Sequence, residues 1–582
     1  MKNFENDKKQ FLRANELFLN NNFHEAKSIY INLIKQYPKK DSLYYNLGVI
    51  YLKINNFSKG IEIILKYISL INNPDNKFFY LISLLYEKNN NILPAIRYIK
   101  KLVKNDPEKN NFKIAKLYKK IDCINLSNKY LDKCYSLSKN KFYKIYKLFN
   151  FPIIYNDKKD YEKKKENFIN DLKYLNKENF NISKNLLIDS PTFIHTYNEN
   201  INKDFYSLIK DFFINKYDFL KKNYHIKNKI GKKIKLGIIS EFLSFHTIGK
   251  IFHEMISRLN TNIYEVVIFN SINTIASEIK SNLDNKYKSI TLPADQDEKI
   301  KIIANENLNI LFYPDIGMST DLFYLSYLKL ADKQVVSWGH PDTTGNENID
   351  YFLSSKLFEE KKDSSKKNYS EKLVLFNNLP SYFNYPKFVK KNRNFVKNIY
   401  SCPQSIYKFH PDFDEVLVKI LKKDKKSKII LVKDRFSIYK KLKKRIALKD
   451  PINSSRIFFL NRGDKNFFIS LCSISSVLLD PLYFGSGTTF FESMVVGTPT
   501  VTLPKKLLRS RMVKGAYDQM KVSTDLTVAK NIDDYVDKSI YLASNKKVNL
   551  ELREILRIKA KKNLFENKKV IDEFNDFFKK II

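Results

Sequence analysis

The sequence predicts a helical solenoid at its amino end, followed by two Rossmann-like lobes of parallel sheet and helix. Three observations carry that prediction. A pattern of small and bulky residues repeats at about 34 positions between residues 10 and 140. From Lys233 onward, short β-branched runs alternate with helical patterns in two separate series. Near the end of the second series, residues 480–504 read as strand, small-residue turn, helix and strand.

The repeats come first. Ala14, Phe23 and Ala26 are followed 34 residues later by Gly48, Phe57 and Gly60, and one residue further out by Ser83, Ile92 and Ala95. Pro38, Pro74 and Pro107 close successive units. Small residues at a helix crossing, a bulky residue before the second helix and proline after it mark tetratricopeptide hairpins, each burying its face on its neighbours. A degenerate fourth unit is expected over 111–140, giving an array over residues 1–140. Residues 141–230 are polar, rich in Lys and Asn and mostly helical in pattern, as in Tyr161–Phe168, and read as a helical bridge. The first lobe is placed at 231–395, with strands at 234–240, 264–270, 308–315, 333–339 and 371–376. The second is placed at 396–582, with strands from 399 and at 428–433, 456–460, 476–480 and 499–503. A last helix near 567–582 is expected to pack back across the lobes. Strands that alternate with helices build parallel sheets covered on both faces, and ligands bind beyond their carboxyl ends.

At 582 residues the chain needs several cores, and 43% hydrophobic content excludes wholesale disorder. A formal charge of +41 raises nucleic acid or an anionic membrane as partners. Lys, Asn and Ile are abundant everywhere, however, including segments with no basic cluster. The charge therefore reads as compositional drift with a solvated surface, and no specific nucleic-acid partner is expected. Cys123, Cys134, Cys402 and Cys472 form neither a C-x-x-C pair nor a metal-ligand spacing, so buried thiols are expected and no metal. No signal-peptide core follows Met1 and no run is long enough to span a bilayer, so a cytoplasmic protein is expected.

The chemistry gathers at strand ends. In 480–504, Val477–Leu479 leads into Asp480 and Pro481, then Gly485, Ser486, Gly487, Thr488 and Thr489. Backbone amides at a helix start attract anions, and glycines let backbone approach a phosphate closely. Glu492, one turn on, is placed near a group attached to that phosphate, as ribose hydroxyls would be. Lys408 supplies a point charge for a diphosphate leaving group. Arg462 and Lys465, just after a strand, are candidates to touch the base or phosphates. In the first lobe, His246 lies on the loop leaving the first strand, beside Gly249. Trp338–Gly345 forms a second cleft-edge loop whose glycines and paired threonines suit contact with a sugar or phosphate. Asp315, at the end of the 308–315 strand, is a candidate acid/base group or, equally, a loop-capping carboxylate.

Together the runs SEFLSFHTIGK, SWGHPDTTG, YSEKL, CPQSIYKFHPDF and LDPLYFGSGTTFFES with its following GTP resemble the O-linked N-acetylglucosamine transferase/SPINDLY family, especially its bacterial members. These are inverting glycosyltransferases of family 41 with the GT-B fold, and the resemblance covers the repeats and residues 231–565. It implies metal-independent transfer from a UDP-sugar to a hydroxyl, or in some relatives an amide, on a protein acceptor presented by the repeats. It implies that Lys408 stabilises the departing UDP, that Thr488 and Thr489 hold the diphosphate, and that Glu492 binds the ribose. Lys465 is then near the nucleoside, His246 near the reacting sugar and Gly339 a sugar-contacting backbone. Pro341, Gln404, Ser405, Phe468 and Gly487 join the nucleotide-sugar set.

The pattern also departs from the animal enzymes. Gly487 stands where they carry histidine, Phe468 replaces a uracil-side histidine, and a second cleft histidine corresponds to Asn309. The expected activity is transfer of N-acetylglucosamine from UDP-GlcNAc to Ser or Thr of proteins, without a cofactor. Transfer of glucose or another hexose to Asn or a glycan, and a repeat scaffold with a degenerate transferase part, are the alternatives.

Overall fold

The computed structural model describes residues 2–189, 192–222, 224, 231–271, 278–360, 362–386 and 395–582. The end of the expected bridge, 225–230, lies outside them. The chain divides into two compact units, Met1–Pro152 with Arg435–Ile438, and Ile153–Asp434 with Tyr439–Ile582.

The first unit is an array of helical hairpins: Lys2–Leu19 with Phe23–Gln36, Asp41–Lys53 with Phe57–Leu70, Asn76–Lys88 with Ile92–Lys101, and Pro107–Lys120 with Ile124–Ser138. Each hairpin turns on one Asn or Asp in the left-handed region: Asn21, Asn55, Asn90 and Asp122, at φ of 61°, 58°, 62° and 59°. Their short polar side chains make that backbone conformation accessible where most residues would clash. The small residues stand at the crossings. A Cβ on Gly48 would lie 2.7 Å from Ile64 Cδ1, and Ser83 Oγ donates to Ala95 O at 2.9 Å. The fourth hairpin starts earlier than its sequence pattern indicated. Pro107 opens its first helix, where a missing N–H costs nothing, and Asp106 caps it by accepting from Lys109 N. Phe436 packs with this unit, against the cluster that holds Ile92, Ile96 and Leu117.

The second unit holds both sheets. The first runs β1 Ile234–Ile239, β2 Tyr264–Ser271, β3 Lys288–Leu292, β4 Leu308–Tyr313, β5 Ala331–Ser337, β6 Tyr351–Ser355 and β7 Lys372–Phe376. The second runs β8 Ile399–Cys402, β9 Lys428–Val432, β10 Ile457–Leu460, β11 Val477–Leu479 and β12 Thr500–Val501. Their strand orders are β3-β2-β1-β4-β5-β6-β7 and β10-β9-β8-β11-β12, with every named pairing parallel. Central β4 is buried along its whole length, as a strand covered on both faces must be.

The bridge is part of this unit. Its helix Lys203–Lys216 packs on the first lobe, with Phe213 and the following Tyr217 meeting Tyr324 at ring distances of 5.3 and 5.4 Å, and its helix Lys158–Lys177 packs on Lys203–Lys216 through Phe168 and Phe205. The final helix Lys569–Lys580 follows the second lobe in sequence but packs on the first. Phe574 and Phe578 meet Phe312, and Phe577 meets Tyr351. No helix among the described residues is long and apolar enough to cross a membrane.

Candidate active site

Both sheets reverse strand order once, between β1 and β4 and between β8 and β11. A crevice opens beyond the carboxyl ends of strands at such a reversal, because the flanking crossovers leave in opposite directions. The four loops at these points carry Ser240 to His246, Asp315, Gln404 to Lys408, and Asp480 to Gly487. Residues chosen from separate motifs thus share one structural address.

In the second lobe, Lys408 is tied at both sides. Its Nζ donates to Gln404 Oε1 at 2.9 Å and to Gly485 O at 2.8 Å, and lies 4.7 Å from the centre of the Phe484 ring. Gln404 Nε2 donates in turn to Thr489 Oγ1 at 2.7 Å. One network therefore joins the loops after β8 and β11. Burial pulls the Lys408 ammonium down to about 8, with nearby Asp480 opposing the shift. Ser405 is exposed beside it. The turn is held from beneath by Asp480, which accepts from Ser486 N at 2.6 Å and Thr502 Oγ1 at 2.7 Å. The helix that begins at Thr488 ends at Ser493. With six residues it has little macrodipole, so an anion would be held here chiefly by fixed side chains and first-turn amides.

In the first lobe, His246 caps the helix Thr247–Ser257, its Nδ1 accepting from Ile248 N at 3.4 Å. Burial first, and then Lys250, lower its pKa, so the ring is neutral at pH 7. With Nδ1 accepting, the neutral ring carries its hydrogen on Nε2 and offers a donor. Gly249 makes this loop possible, since a Cβ there would stand 1.8 Å from Ser244 O. Gly249→Ala is expected to displace the His246 loop and cost about 1–3 kcal/mol or more, read as a lowered thermal midpoint. An unchanged midpoint would show that the loop yields freely.

The facing edges meet. Lys250 Nζ lies 2.6 Å from Glu492 Oε1, and Thr247 Oγ1 lies 3.4 Å from Thr488 Oγ1. A Cβ on Gly487 would meet Trp338 Cζ3 at 3.9 Å, an ordinary contact, so the glycine leaves room for a side chain. Lys465 is exposed on the first turn of the helix Lys465–Ile474. Burial lowers its pKa and Lys250 adds to that, while Glu492 opposes, which places it in the same charge cluster. Phe468 is half-buried one turn along and Arg462 is exposed.

Four expectations change. Thr343 and Thr344 do not offer their hydroxyls to a ligand. Both are buried and committed to Glu371: Thr343 Oγ1 donates to Oε2 at 2.8 Å, and Thr344 donates to Oε1 through its backbone N at 2.6 Å and through its hydroxyl. Pro341 is buried in the same loop, and only Gly339 of that run is partly exposed. A Cβ on Gly339 would stand 2.2 Å from Pro314 O, so its glycine serves close backbone packing. Asn309 is no cleft residue: it sits near the start of β4, and its Oδ1 accepts from Lys235 N at 2.9 Å, holding β1 at the sheet's opposite end. Asp315 is fully buried with Ser240 Oγ donating to Oδ1 at 2.5 Å, and burial pushes its pKa up to about 7. That arrangement fixes the loop after β1 and gives an acceptor no direct path to the carboxylate.

Three residues escaped sequence reading. Lys250 lay inside a quoted run, but its partner is far off in sequence. Arg509 is 1% exposed and pairs with Asp342 at 3.0 Å, while its carbonyl accepts from Gly485 N at 2.8 Å. Tyr197, from the bridge, places its ring 5.0 Å from Phe484 and 5.8 Å from Tyr407. The bridge thus helps to enclose Lys408, for which its polar composition gave no signal.

Two parallel-sheet lobes thus bring basic and hydroxyl groups together at their reversal points. Residues 394–574 match the model of Glycosyl transferase family 41, and that segment of the chain is similar to this family. The chain is 24% identical over 347 residues to the probable UDP-N-acetylglucosamine–peptide N-acetylglucosaminyltransferase SEC of Arabidopsis thaliana, a match covering 54% of this chain and 33% of that protein. It is 21% identical over 355 residues to the UDP-glucose:protein N-beta-glucosyltransferase of Actinobacillus pleuropneumoniae serotype 5b, covering 57% of this chain and 54% of that one. The chain thus matches from a third to about half of the length of these curated relatives. A mutant of the Thermobaculum terrenum O-GlcNAc transferase shares its fold, with a TM-score of 0.68 and 14% identity over 93% of this chain and 96% of that one.

Proposed function

We propose that this chain is an inverting, metal-independent glycosyltransferase that moves N-acetylglucosamine from UDP-GlcNAc to Ser or Thr hydroxyls of proteins, with the repeat array as the acceptor-selecting surface and the cytoplasm as its setting. The network of Lys408, Gln404, Thr489 and Gly485 at the second lobe's reversal point carries the proposal. The acceptor oxygen attacks the anomeric carbon from the face opposite UDP. The bond from that carbon to the β-phosphate oxygen breaks, its electron pair leaves with UDP, and the acceptor proton passes to solvent or a cleft base. Lys408 meets the growing charge on the leaving phosphate, and a fixed donor in a water-poor cleft stabilises that charge most where it develops. Glu492 takes the ribose hydroxyls. His246, with its hydrogen on Nε2, holds a sugar or phosphate oxygen rather than accepting the acceptor's proton.

Transfer of hexose from UDP-glucose to an amide is the second reading, supported by the Actinobacillus relative. The test is mass spectrometry of acceptor proteins after incubation with UDP-GlcNAc, UDP-glucose and UDP-galactose in parallel. N-acetylhexosamine on Ser or Thr is expected, and hexose on Asn would favour the second reading. Absence of both transfer and UDP binding at millimolar concentration would reduce the chain to a repeat scaffold.

A further inference from the structure

The ion pair between Lys250 and Glu492 spans the cleft, one partner on each lobe, at the spot where the proposed function places a nucleotide. It is short, 2.6 Å, and unequal in exposure: the Glu492 side chain is 10% exposed and the Lys250 side chain 37%. One turn earlier Thr247 meets Thr488, so the helix Thr247–Ser257 lies along the helix Thr488–Ser493. A ribose offers two neighbouring hydroxyls, and a carboxylate grips such a pair through both its oxygens. In this structure Oε1 is already taken by Lys250. A nucleotide seated on Glu492 therefore competes with the ammonium for that oxygen. Glu492 is anchored by burial, whereas Lys250 has a flexible four-carbon stem and a partly solvated head. The lysine is the partner that moves.

Its destination follows from charge. Thr488 and Thr489 stand one turn before Glu492 on the same short helix, and Lys408 is linked to Thr489 through Gln404. A diphosphate held there brings two to three negative charges within a side-chain length of Lys250. An ammonium released from a carboxylate gains most by pairing with a phosphate.

We propose that Lys250 is a further nucleotide-binding residue, supplied by the first lobe, whose ammonium passes from Glu492 to the diphosphate when UDP enters. The pair joins the two lobes, and the nucleotide substitutes for it. This inference rests on the proposed UDP-sugar site and adds to it a contribution from the opposite lobe. It also assigns Lys250 a role in affinity for the phosphates rather than for the base.

Calorimetric titration of UDP and of uridine into the whole protein, the Lys250→Met variant and the Lys250→Arg variant tests it. Lys250→Met is expected to weaken UDP at least tenfold. Uridine, measured by competition at millimolar concentration, should bind Lys250→Met as well as wild type or better, because Glu492 is then vacant. Lys250→Arg should restore most of the UDP affinity. Equal weakening of UDP and uridine would overturn the proposal, since it would mean that Lys250 only shapes the cleft. So would UDP affinity unchanged in Lys250→Met. If wild-type protein itself fails to bind UDP, the nucleotide reading and this inference fall together. If it binds and only the variants behave alike, the nucleotide reading stands alone. Thermal melting of each variant confirms that the lobes remain folded during the comparison.

Discussion

Replacing Lys408 with alanine is expected to lower turnover by about 10²–10³-fold while leaving a folded protein. That factor is what removal of one preorganised donor to a developing negative charge costs, about 2.7–4 kcal/mol of barrier. The geometry gives reason to expect the full cost. The ammonium is held by two oxygens, Gln404 Oε1 and Gly485 O, and by the face of Phe484, so it need not reorganise as the leaving group forms. Burial lowers its pKa to about 8, from the usual lysine value of about 10.4. The ammonium is therefore present at pH 7 and lost as pH rises through about 8, and wild-type turnover should fall over the same interval.

Stability moves the other way. Between about 8 and about 10.4 the unfolded chain holds this proton and the native one has released it, so the group makes stability rise with pH in that window. Below about 8 the native protein carries the full cost of a buried charge. Lys408→Met removes it but leaves Gln404 Oε1 and Gly485 O without their donor, so it should stay folded at pH 7 with turnover lowered as in Lys408→Ala. A variant that fails to fold would assign Lys408 to the fold. A near-wild-type rate would sink its role in leaving-group stabilisation.

What could be read from sequence follows a physical division. Strands buried on both faces announce themselves as mainly apolar runs, and Leu308–Tyr313, interrupted only by Asn309, and the buried part of β1, 236–239, are of that kind. Strand β3, Lys288–Leu292, sits at the sheet edge with three of its five residues exposed, and its sequence KSITL shows no run at all. Strand β6, Tyr351–Ser355, ends in serines that hydrogen-bond inward, so it too escaped. The loops with chemistry were legible because they follow strands directly, and backbone geometry dictates where such loops point. The fate of a side chain within a loop was not. Thr343 and Thr344 look like ligand-binding hydroxyls until Glu371, in the YSEKL run, is brought beneath them. Asn309 looked like a cleft residue because alignment by motif cannot show which end of a strand a position occupies. Lys250 and Glu492 were each visible, but their meeting depends on two domains closing.

Arg509→Ala is expected to cost about 3–5 kcal/mol, seen as a fall of several degrees in the melting of the second unit. The guanidinium lies in the interior, bonded to Asp342 at 3.0 Å and to the carbonyls of Asn198 at 2.9 Å and Asn200 at 2.7 Å. Asp342 in turn accepts from Asn202 Nδ2 at 2.7 Å and Tyr206 OH at 3.4 Å. First lobe, bridge and second lobe thus converge on one buried pair. Deleting the cation leaves a carboxylate in an apolar interior with only neutral partners, which is why the loss exceeds that of a surface bridge. The double variant Asp342→Asn with Arg509→Met removes both charges, and Asn retains acceptor oxygen for Asn202 and Tyr206. It should recover much of the stability lost by Arg509→Ala. Activity need not recover with it. The Arg509 carbonyl receives Gly485 N, and Gly485 O receives Lys408. If the guanidinium positions that backbone, the double variant will be stable but slow, with turnover reduced more than donor KM. Recovery of both stability and turnover would confine Arg509 to holding the lobes together.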